Sequence, residues 1–392
     1  MDKEKQIEIL ANLIAIDSVD DNEAKVANYI ASLFEPYNDR EDVDIQRVTY
    51  APNRDNLVVT IGTGEKILGF SGHEDVVSQG DLSAWNSDPF KAEIKDNKLF
   101  GRGVTDMKGG LAALVITMLD FLAEDAIPGK IRLLATVGEE TGEYGAAQLT
   151  KAGYADELDG LIIAEPTNEM KEIGISSKGV IDYVVTSIGK GAHSSKPEDG
   201  INAIDHLINF ANEVKPLMEN FDKTDPILGK LTHVQSVFHG GEQINSVPVK
   251  AIMKGNIRTI PAYPNQLVFS ALNHLIDNLN QKPDYNLSIE YIFPEEAMSG
   301  DSNASLVRLI KNVHKNMYPD PIKVVYQTSA SDASEFSHAK GNFSIVQIGP
   351  GNNSEHQSNE NIDIDVFSKS IAFYKRFVEA FLNKPATMVF GL

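Results

Sequence analysis

A chain of 392 residues is too long for one ordinary hydrophobic core, which predicts two domains. Its 42% hydrophobic and 23% charged residues indicate a globular protein, but a net charge of −21 argues against nucleic-acid binding, which requires basic surface. The absence of cysteine excludes disulfides, thiolate metal sites and a cysteine nucleophile. The charged, helix-patterned N-terminus and the lack of an 18-residue apolar window predict neither a secretory signal nor a membrane span, so we expect a cytoplasmic protein.

Helical and strand-like patterns alternate up to about residue 172. In chain order we predict the helices KQIEILANLIAI and NEAKVANYIASLFEPY, the strands DVDIQRVTY, NLVVTIG and KILGFSGH, the helix GGLAALVITMLDFLAE, the strand KIRLLATVG, the helix GAAQLTKAG and the strand GLIIAEP. Repeated strand–helix–strand units predict an α/β domain with a mainly parallel sheet and helices on both faces.

The pattern changes after ISSKG at 176–179. Here we predict the strand VIDYVVTSIG, a helix at about 201–220, the strands VQSVFHGG and VPVKAIMKGNIRTIP, the helix NQLVFSALNHLIDNLNQ and the strand NLSIEYIFP. This order of elements is that of a small two-layer α+β domain of the ferredoxin-like kind, and we expect VIDYVVTSIG to be an edge-type strand. From about Glu295 the α/β pattern resumes with the helix ASLVRLIKNVHKNMY, the strands IKVVYQ and FSIVQIGPG, and a helix at about 365–383.

Charged or imidazole side chains follow several of the predicted strands. The candidates are His73 and Asp75 in FSGHEDVV, Asp106 in GRGVTDMKGG, Glu139 and Glu140 in LLATVGEETG, Glu165 in GLIIAEPTN and His356 in IGPGNNSEHQSNE. Ligand crevices form at the carboxyl ends of strands in open α/β sheets, and mixed oxygen and imidazole ligands suit a pair of divalent cations. Two such ions about 3.5–4 Å apart polarise a carbonyl and generate hydroxide, which predicts a hydrolase.

His356 belongs to the last block, yet its predicted co-ligands belong to the first 165 residues. The middle block is therefore an insertion into the catalytic domain. We predict a catalytic domain made of residues 1–178 and 293–392, interrupted by an inserted domain of residues 179–292.

Each motif alone also has an ordinary structural explanation. Asp106 could be a helix N-cap, the Glu139–Glu140 pair could lie in a solvated loop, and a single loop histidine is usually a surface residue. Five such segments together favour one site. Within it, one of the adjacent glutamates can bind metal while the other holds a proton as general base, and Asp75 can orient His73.

Three further candidates lie in the inserted block. His193 belongs to the loop GKGAHSSKPEDG, Asn245 to QINSVP and Arg258 to NIRTIP. Arg258 is either a plain surface charge or a clamp for a substrate carboxylate.

The motifs GHEDVV, W-x3-PF, GRGVTDMKGG, GEETG, EPT, GAHSS and a late H-Q-x-NE follow one another in an order that resembles the dinuclear zinc aminoacylase and carboxypeptidase family. The resemblance covers essentially the whole chain. It implies a zinc-exopeptidase-like catalytic domain with two Zn²⁺ per subunit, for which Co²⁺ or Mn²⁺ could substitute, and an inserted lid domain through which the protein forms a homodimer.

The resemblance also assigns roles. The implied roles are ligands of one metal ion for His73 and Glu165, ligands of the other for Glu140 and His356, a bridging ligand for Asp106, orientation of His73 for Asp75, the general base for Glu139, an oxyanion contact in a partner subunit's site for His193, and substrate contacts for Arg258, Asn245 and Asp332.

The implied reaction is metal-dependent hydrolysis of the amide bond of an N-acyl amino acid. Within the family, an activity like that of the succinyl-diaminopimelate desuccinylases of lysine biosynthesis ranks first, and acetylornithine deacetylase-like or di- and tripeptidase activity second. The segment SASDASEF at 329–336 has Glu335 near the position where desuccinylases usually carry an arginine, so the acyl group and amino acid stay open. A catalytically silent metal-binding protein is the alternative from a different class.

Overall fold

The computed structural model describes residues 1–327 and 331–383 of the chain. Ser329 and Ala330, the first residues of the SASDASEF segment, lie outside the described residues. The α-helices are α1 (Lys3–Ile14), α2 (Glu23–Phe34), α3 (Lys108–Ala123), α4 (Tyr144–Lys151), α5 (Ala203–Glu219), α6 (Asn265–Asn280), α7 (Ser305–Lys315), α8 (Asp332–Phe336) and α9 (Ile364–Leu382).

The strands confirm most of the predicted ones and add several short ones. They are β1 (Val43–Ala51), β2 (Arg54–Ile61), β3 (Ile67–His73), β4 (Glu93–Lys95), β5 (Lys98–Phe100), β6 (Lys130–Thr136), β7 (Gly160–Ile163), β8 (Glu172–Ser177), β9 (Gly179–Ile188), β10 (Thr224–Asp225), β11 (Gly229–Lys230), β12 (Thr232–Gly240), β13 (Lys250–Thr259), β14 (Leu287–Glu295), β15 (Lys323–Gln327), β16 (Ser344–Gln347) and β17 (Asn361–Asp363).

The described chain divides into two units. The first, here called the larger unit, comprises Met1–Ile175, Gly300–Tyr326 and the chain from Ser331 onward. The second, here called the inserted unit, comprises Ser176–Ser299 with the few residues from Gln327.

The main sheet has the strand order β1-β2-β6-β3-β7-β16-β8-β15. Pairing is parallel between β6 and β3, β3 and β7, and β7 and β16, but antiparallel between β1 and β2, β2 and β6, and β16 and β8. The prediction of a mainly parallel sheet is therefore wrong: of these six pairings three are parallel and three antiparallel, so the sheet is mixed. One reason is that β1 and β2 are joined by a tight turn at Pro52 and Asn53, which can only connect antiparallel strands.

Helix α3 is the central helix of the larger unit. Every residue from Lys108 to Leu122 is buried, including the polar Lys108, Thr117 and Asp120, as expected of a helix surrounded by the core. It packs closely on the end of β7: a Cβ atom added to Gly110 would lie 2.0 Å from the carbonyl oxygen of Ala164. The start of α3, next to Asp106, is therefore held against the strand end that precedes Glu165.

A small three-stranded sheet has the order β17-β5-β4 and is antiparallel throughout. It pairs Asn361 with Phe100 and so brings the segment after His356 beside the segment before Asp106. Its strands are three residues long, which is too short for an alternating pattern to reveal them in the sequence.

The inserted unit has a four-stranded antiparallel sheet with the order β12-β13-β9-β14. Helices α5 and α6 complete its hydrophobic core, in which Phe210 and Leu272 pack with Tyr183 and Met253 of the sheet. The expectation that β9 (VIDYVVTSIG) is an edge strand is wrong, since β9 lies between β13 and β14. Its alternating burial reflects one face covered by helices and one uncovered, which says nothing about its lateral neighbours.

Within residues 1–327 and 331–383, the structure has no helix of the length and apolarity needed to cross a membrane.

Candidate metal centre

Three adjacent strands of the main sheet, β6, β3 and β7, run parallel and end at one edge. His73 is the last residue of β3, Glu139 and Glu140 lie in the turn after β6, and Glu165 lies just after β7. Because parallel strands present their carboxyl ends together, these side chains meet although they are far apart in sequence.

Asp106 lies between the two histidines. Its Oδ1 is 3.1 Å from Nε2 of His73, and its Oδ2 is 3.3 Å from Nε2 of His356. Nε2 of His356 also lies 3.1 Å from Oε2 of Glu140. One carboxylate thus directs a different oxygen at each of two imidazoles, which is the arrangement that a ligand bridging two ions needs.

Two groups of side chains share Asp106 and have the donor chemistry of metal sites: one is His73, Asp106 and Glu165, the other Asp106, Glu140 and His356. Within each group the potential ligand atoms all lie within 4.8 Å of one another. Among the described residues, Oε1 of the buried Glu165 has no hydrogen-bond partner, as fits an oxygen meant for a cation. The residues therefore fit a metal centre, and their individual ligand roles stay a prediction.

The surroundings of His73 differ in one respect from the expected ones. Its Nδ1 donates to the backbone carbonyl of Asp75 at 3.0 Å, while the Asp75 carboxylate is 3.6 Å away. That carboxylate instead accepts the backbone N–H groups of Glu139 at 3.2 Å and Glu140 at 3.1 Å. The main-chain carbonyl of Asp75 thus orients the His73 ring so that Nε2 faces Asp106. The Asp75 carboxylate holds the turn that carries Glu139 and Glu140, here called the glutamate turn.

The charges at this edge shift one another's pKa values. The carboxylates of Asp106 and Glu140 raise the pKa of His356 to about 10. Burial and neighbouring carboxylates raise the pKa of Glu139 and of Glu165 well above the usual range, against the opposing effect of His73. Ligand atoms that carry protons must lose them to bind a metal ion, so metal binding here weakens as the pH falls.

Asp332 lies at the start of α8 and is buried beside this group. Its carboxylate accepts a hydrogen bond from Oγ1 of Thr136, the last residue of β6. Burial raises the pKa of Asp332 to about 7. The structure therefore places Asp332 with the candidate ligands, but with little surface exposed for substrate.

The sequence interpretation missed Glu360, a buried carboxylate that contacts the backbone immediately before Asp106. It also missed Arg102, which forms an ion pair with Glu360 at 2.6 Å. Both residues could have been found by their proximity in sequence to proposed ligands, because Glu360 follows His356 by four residues and Arg102 precedes Asp106 by four.

The inserted unit holds the other three predicted residues. His193 and Asn245 lie in adjacent loops, since the N–H of Ser194 donates to the carbonyl of Asn245 at 3.0 Å. Arg258 is on β13, and no described residue forms a hydrogen bond or ion pair with its guanidinium. Burial and the neighbouring charge of Arg258 lower the pKa of Lys178.

Comparison with known proteins identifies the class. The model of peptidase family M20/M25/M40 matches residues 69–380, most of the chain, so the protein belongs to that family and is a hydrolytic enzyme. A relative in Staphylococcus epidermidis, a probable succinyl-diaminopimelate desuccinylase, is 36% identical over 98% of this chain and 99% of its own.

Solved structures agree on the fold. An M20-family metallo-carboxypeptidase from Sulfolobus solfataricus matches with a TM-score of 0.79 and 18% identity over 97% of this chain and 100% of that one. A dinuclear metal-binding M20 peptidase from Bacillus subtilis matches with a TM-score of 0.70 and 13% identity over 98% and 99%. The match to the family model confirms the family resemblance found in the sequence.

Proposed function

We propose that the protein hydrolyses the amide bond of an N-acyl amino acid, with N-succinyl-diaminopimelate as the first candidate substrate, and that it uses two divalent ions, Zn²⁺ in the first place and Co²⁺ or Mn²⁺ as substitutes. The observation that carries the proposal is the pair of ligand groups that share Asp106, with Glu139 beside them. The relative in Staphylococcus epidermidis supports the choice of substrate. A role in lysine biosynthesis and a cytoplasmic location belong to the same proposal.

The ions, when bound, polarise the amide carbonyl and acidify a water molecule. A side chain of the protein must then accept the proton that this water molecule loses. Glu139 is suited to take it, because its side chain is only 12% exposed and Oε2 lies 3.9 Å from Nε2 of His73, close to the ligands without contacting them as Glu140 contacts His356. Glu139 can then return the proton to the departing amine, so one carboxylate serves as base and then as acid.

His193 is proposed to stabilise the oxyanion. The backbone N–H of Ser195 donates to Nδ1 of His193 at 3.2 Å, which favours the tautomer that carries its proton on Nε2. The side chain is exposed, which leaves Nε2–H available as a donor to a substrate. One such donor is typically worth about 3–4 kcal/mol in acyl transfer.

Arg258 and Asn245 are proposed to hold the substrate, with Asp332 supporting the site from within. A net charge of −21 repels an anionic substrate at a distance, so capture of its carboxylates has to depend on local cations. Arg258, which lacks a partner among the described residues, and the neighbouring Lys178 supply two. Guanidinium groups bind carboxylates with two parallel hydrogen bonds.

The inserted block, residues of about 179–292, is proposed to be a ferredoxin-like lid that forms a homodimer. The strand order β12-β13-β9-β14 supports this assignment. Strand β12 is at the edge of the sheet and exposes Val234 by 57% and Phe238 by 44%. An unpaired edge with apolar side chains is suited to pairing with a second copy of the chain.

The test is a substrate panel on the purified protein after chelation and reconstitution with Zn²⁺. We expect N-succinyl-diaminopimelate to have the highest kcat/KM, followed by N-acetylornithine, with simple dipeptides slowest. Dipeptides hydrolysed much faster than every acyl amino acid would favour the second candidate, an exopeptidase. That candidate is supported by Glu335, which does not supply the arginine expected near this position of a desuccinylase.

The same experiment tests the alternative of a silent metal-binding protein. Two bound Zn²⁺ per subunit with no hydrolysis of any panel member would reject the enzymatic proposal. Glu139 and Asp75 argue against that outcome, because mere metal storage requires neither a carboxylate held near the ligands nor one that holds the glutamate turn.

A further inference from the structure

We propose that Glu360 is a positioning residue of the metal centre, whose carboxylate holds the backbone turn that directs Asp106 between the two imidazoles. This inference rests on the metal centre of the proposed function. It assigns to Glu360 no contact with substrate or with an ion.

The contacts of Glu360 converge on one turn. Its Oε1 accepts the backbone N–H groups of Thr105 at 2.8 Å and Asp106 at 3.0 Å. Its Oε2 accepts the backbone N–H of Gly103 at 3.0 Å and Nη1 of Arg102 at 2.6 Å. Each carboxylate oxygen thus accepts two hydrogen bonds, and three of the four come from the main chain just before or at Asp106.

The same segment also carries His356. The loop after His356 is closed by Ser354, whose Oγ accepts the N–H of Asn361 at 3.1 Å. Oγ1 of Thr105 donates to the carbonyl of Asn361 at 2.7 Å. The turn that holds Asp106 and the loop that holds His356 are therefore joined at Asn361, next to Glu360, and the Glu360 carboxylate sets one proposed ligand relative to the other.

A carboxylate is needed for this set of contacts. All four groups facing Glu360 are N–H donors, and the side chain is fully buried, so water cannot replace a lost acceptor. A glutamine of the same shape would direct its NH₂ group at two of these donors. The turn would have to move to relieve that conflict, and Asp106 would move with it.

Glu360→Gln tests the proposal by metal binding to the chelated protein. We expect calorimetric titration with Zn²⁺ to show one of the two ions bound about 10–100-fold more weakly, as is typical when a group supporting the ligands is removed. The visible spectrum of the Co²⁺-loaded variant should change, and kcat should fall with little change in KM, because the substrate contacts are elsewhere.

Glu23→Gln is the matched control. Glu23 is equally buried and pairs with Arg54, whose Nε lies 2.9 Å from Oε1, but it has no hydrogen bond to a proposed metal ligand. We expect this variant to lose stability and keep the affinity of both ions and the Co²⁺ spectrum. If Glu360→Gln loses stability in the same way but binds both ions as the wild type does, the positioning role is rejected.

The experiments distinguish a failure of the Glu360 proposal from a failure of the proposed function. Wild-type protein that binds two ions without hydrolysing any panel member rejects the proposed function alone. Should Glu360→Gln not fold, Glu360→Asp takes its place, since it keeps the charge but is one methylene too short to reach the turn. The same weaker binding of one ion is expected, and unchanged affinity for both ions overturns the proposal.

Discussion

Two adjacent glutamates after β6 have different surroundings. Glu140 lies 3.1 Å from Nε2 of His356, whereas the nearest imidazole nitrogen to Glu139 is 3.9 Å away, on His73. The backbone N–H groups of both are held by the carboxylate of Asp75, so the two side chains cannot exchange places without breaking that pair of hydrogen bonds. The residue pattern alone left open which glutamate binds metal, and the family resemblance implied Glu140. The distances to the imidazoles favour the same assignment, with Glu139 as the base.

Glu139→Gln is therefore expected to abolish turnover while both metal ions stay bound. Loss of a general acid–base group typically lowers kcat by about 10²–10⁴-fold. The measurement is kcat on the best panel substrate together with the metal content by elemental analysis. Glu140→Gln is the control and should lose metal as well as activity. A Glu139→Gln variant with near-wild-type kcat would contradict the assigned role.

At this scale the sequence predicted which side chains meet but not how they are supported. A histidine or carboxylate directly after an apolar strand indicates a position at the sheet edge, and that was sufficient for His73, Glu139 and Glu165. The contacts of Asp75 and Glu360 are with backbone N–H groups of distant segments. Such partners depend on the path of the main chain, and residue type does not reveal them.

The backbone of helix α3 packs so closely on the end of strand β7 that no side chain fits between them at Gly110. Besides the 2.0 Å approach to the carbonyl oxygen of Ala164, a Cβ atom at Gly110 would lie 2.8 Å from Cβ of Ala164. Both contacts are with atoms that cannot move without shifting β7. Gly110 thus serves the packing of helix on strand.

Gly110→Ala is expected to destabilise the protein and weaken metal binding together. Overpacking of a core typically costs about 1–3 kcal/mol, and the displaced elements lead to Asp106 and Glu165. Urea unfolding and Zn²⁺ titration measure the two effects. Gly80→Ala is the control: Gly80 has φ +67° and nothing within 4 Å of an added Cβ, so only backbone strain of about 1 kcal/mol and unchanged metal affinity are expected. Wild-type metal affinity in Gly110→Ala would show that this packing does not position the site.

The longest elements were the most predictable from sequence, although the six-residue β8 was missed while the four-residue β7 and β16 were found. Helices and strands with two or more full periods of apolar residues, such as α3 and β9, were found close to their observed bounds. The three-residue strands β4, β5 and β17 were missed. The lateral order of strands was not predictable either, because periodicity reports which face is buried and carries no information about which strand lies beside which.

The inserted unit has its own sheet and its own hydrophobic core. His193 lies in this unit and the candidate metal ligands in the larger one. The proposed dimer would let the loop of one subunit serve the site of its partner, an arrangement that two-fold symmetry would repeat at both sites.

Mixing two inactive variants tests that assembly. Glu139→Ala and His193→Ala subunits, combined under conditions of subunit exchange, should form heterodimers with one complete site and regain part of the wild-type kcat. Exchange is confirmed by native mass spectrometry of subunits with different tags, and each variant mixed with itself is the control. Confirmed exchange without recovered activity would remove the cross-subunit role of His193.

The position of β16 has a consequence for how the protein is made. This strand lies between β7 and β8 in the sheet, yet it is synthesised about 170 residues after β8, with the whole inserted unit in between. In a nascent chain that has been synthesised past β8, strands β7 and β8 therefore lack the strand β16 that pairs with both of them. Unpaired strand edges favour aggregation. The sheet of the inserted unit can close in the meantime, since all its strands are synthesised before β16. The main sheet, which carries the candidate metal ligands, is thus completed last, and a ribosome that stalls before β16 releases a chain with the strands of the inserted unit but an incomplete main sheet.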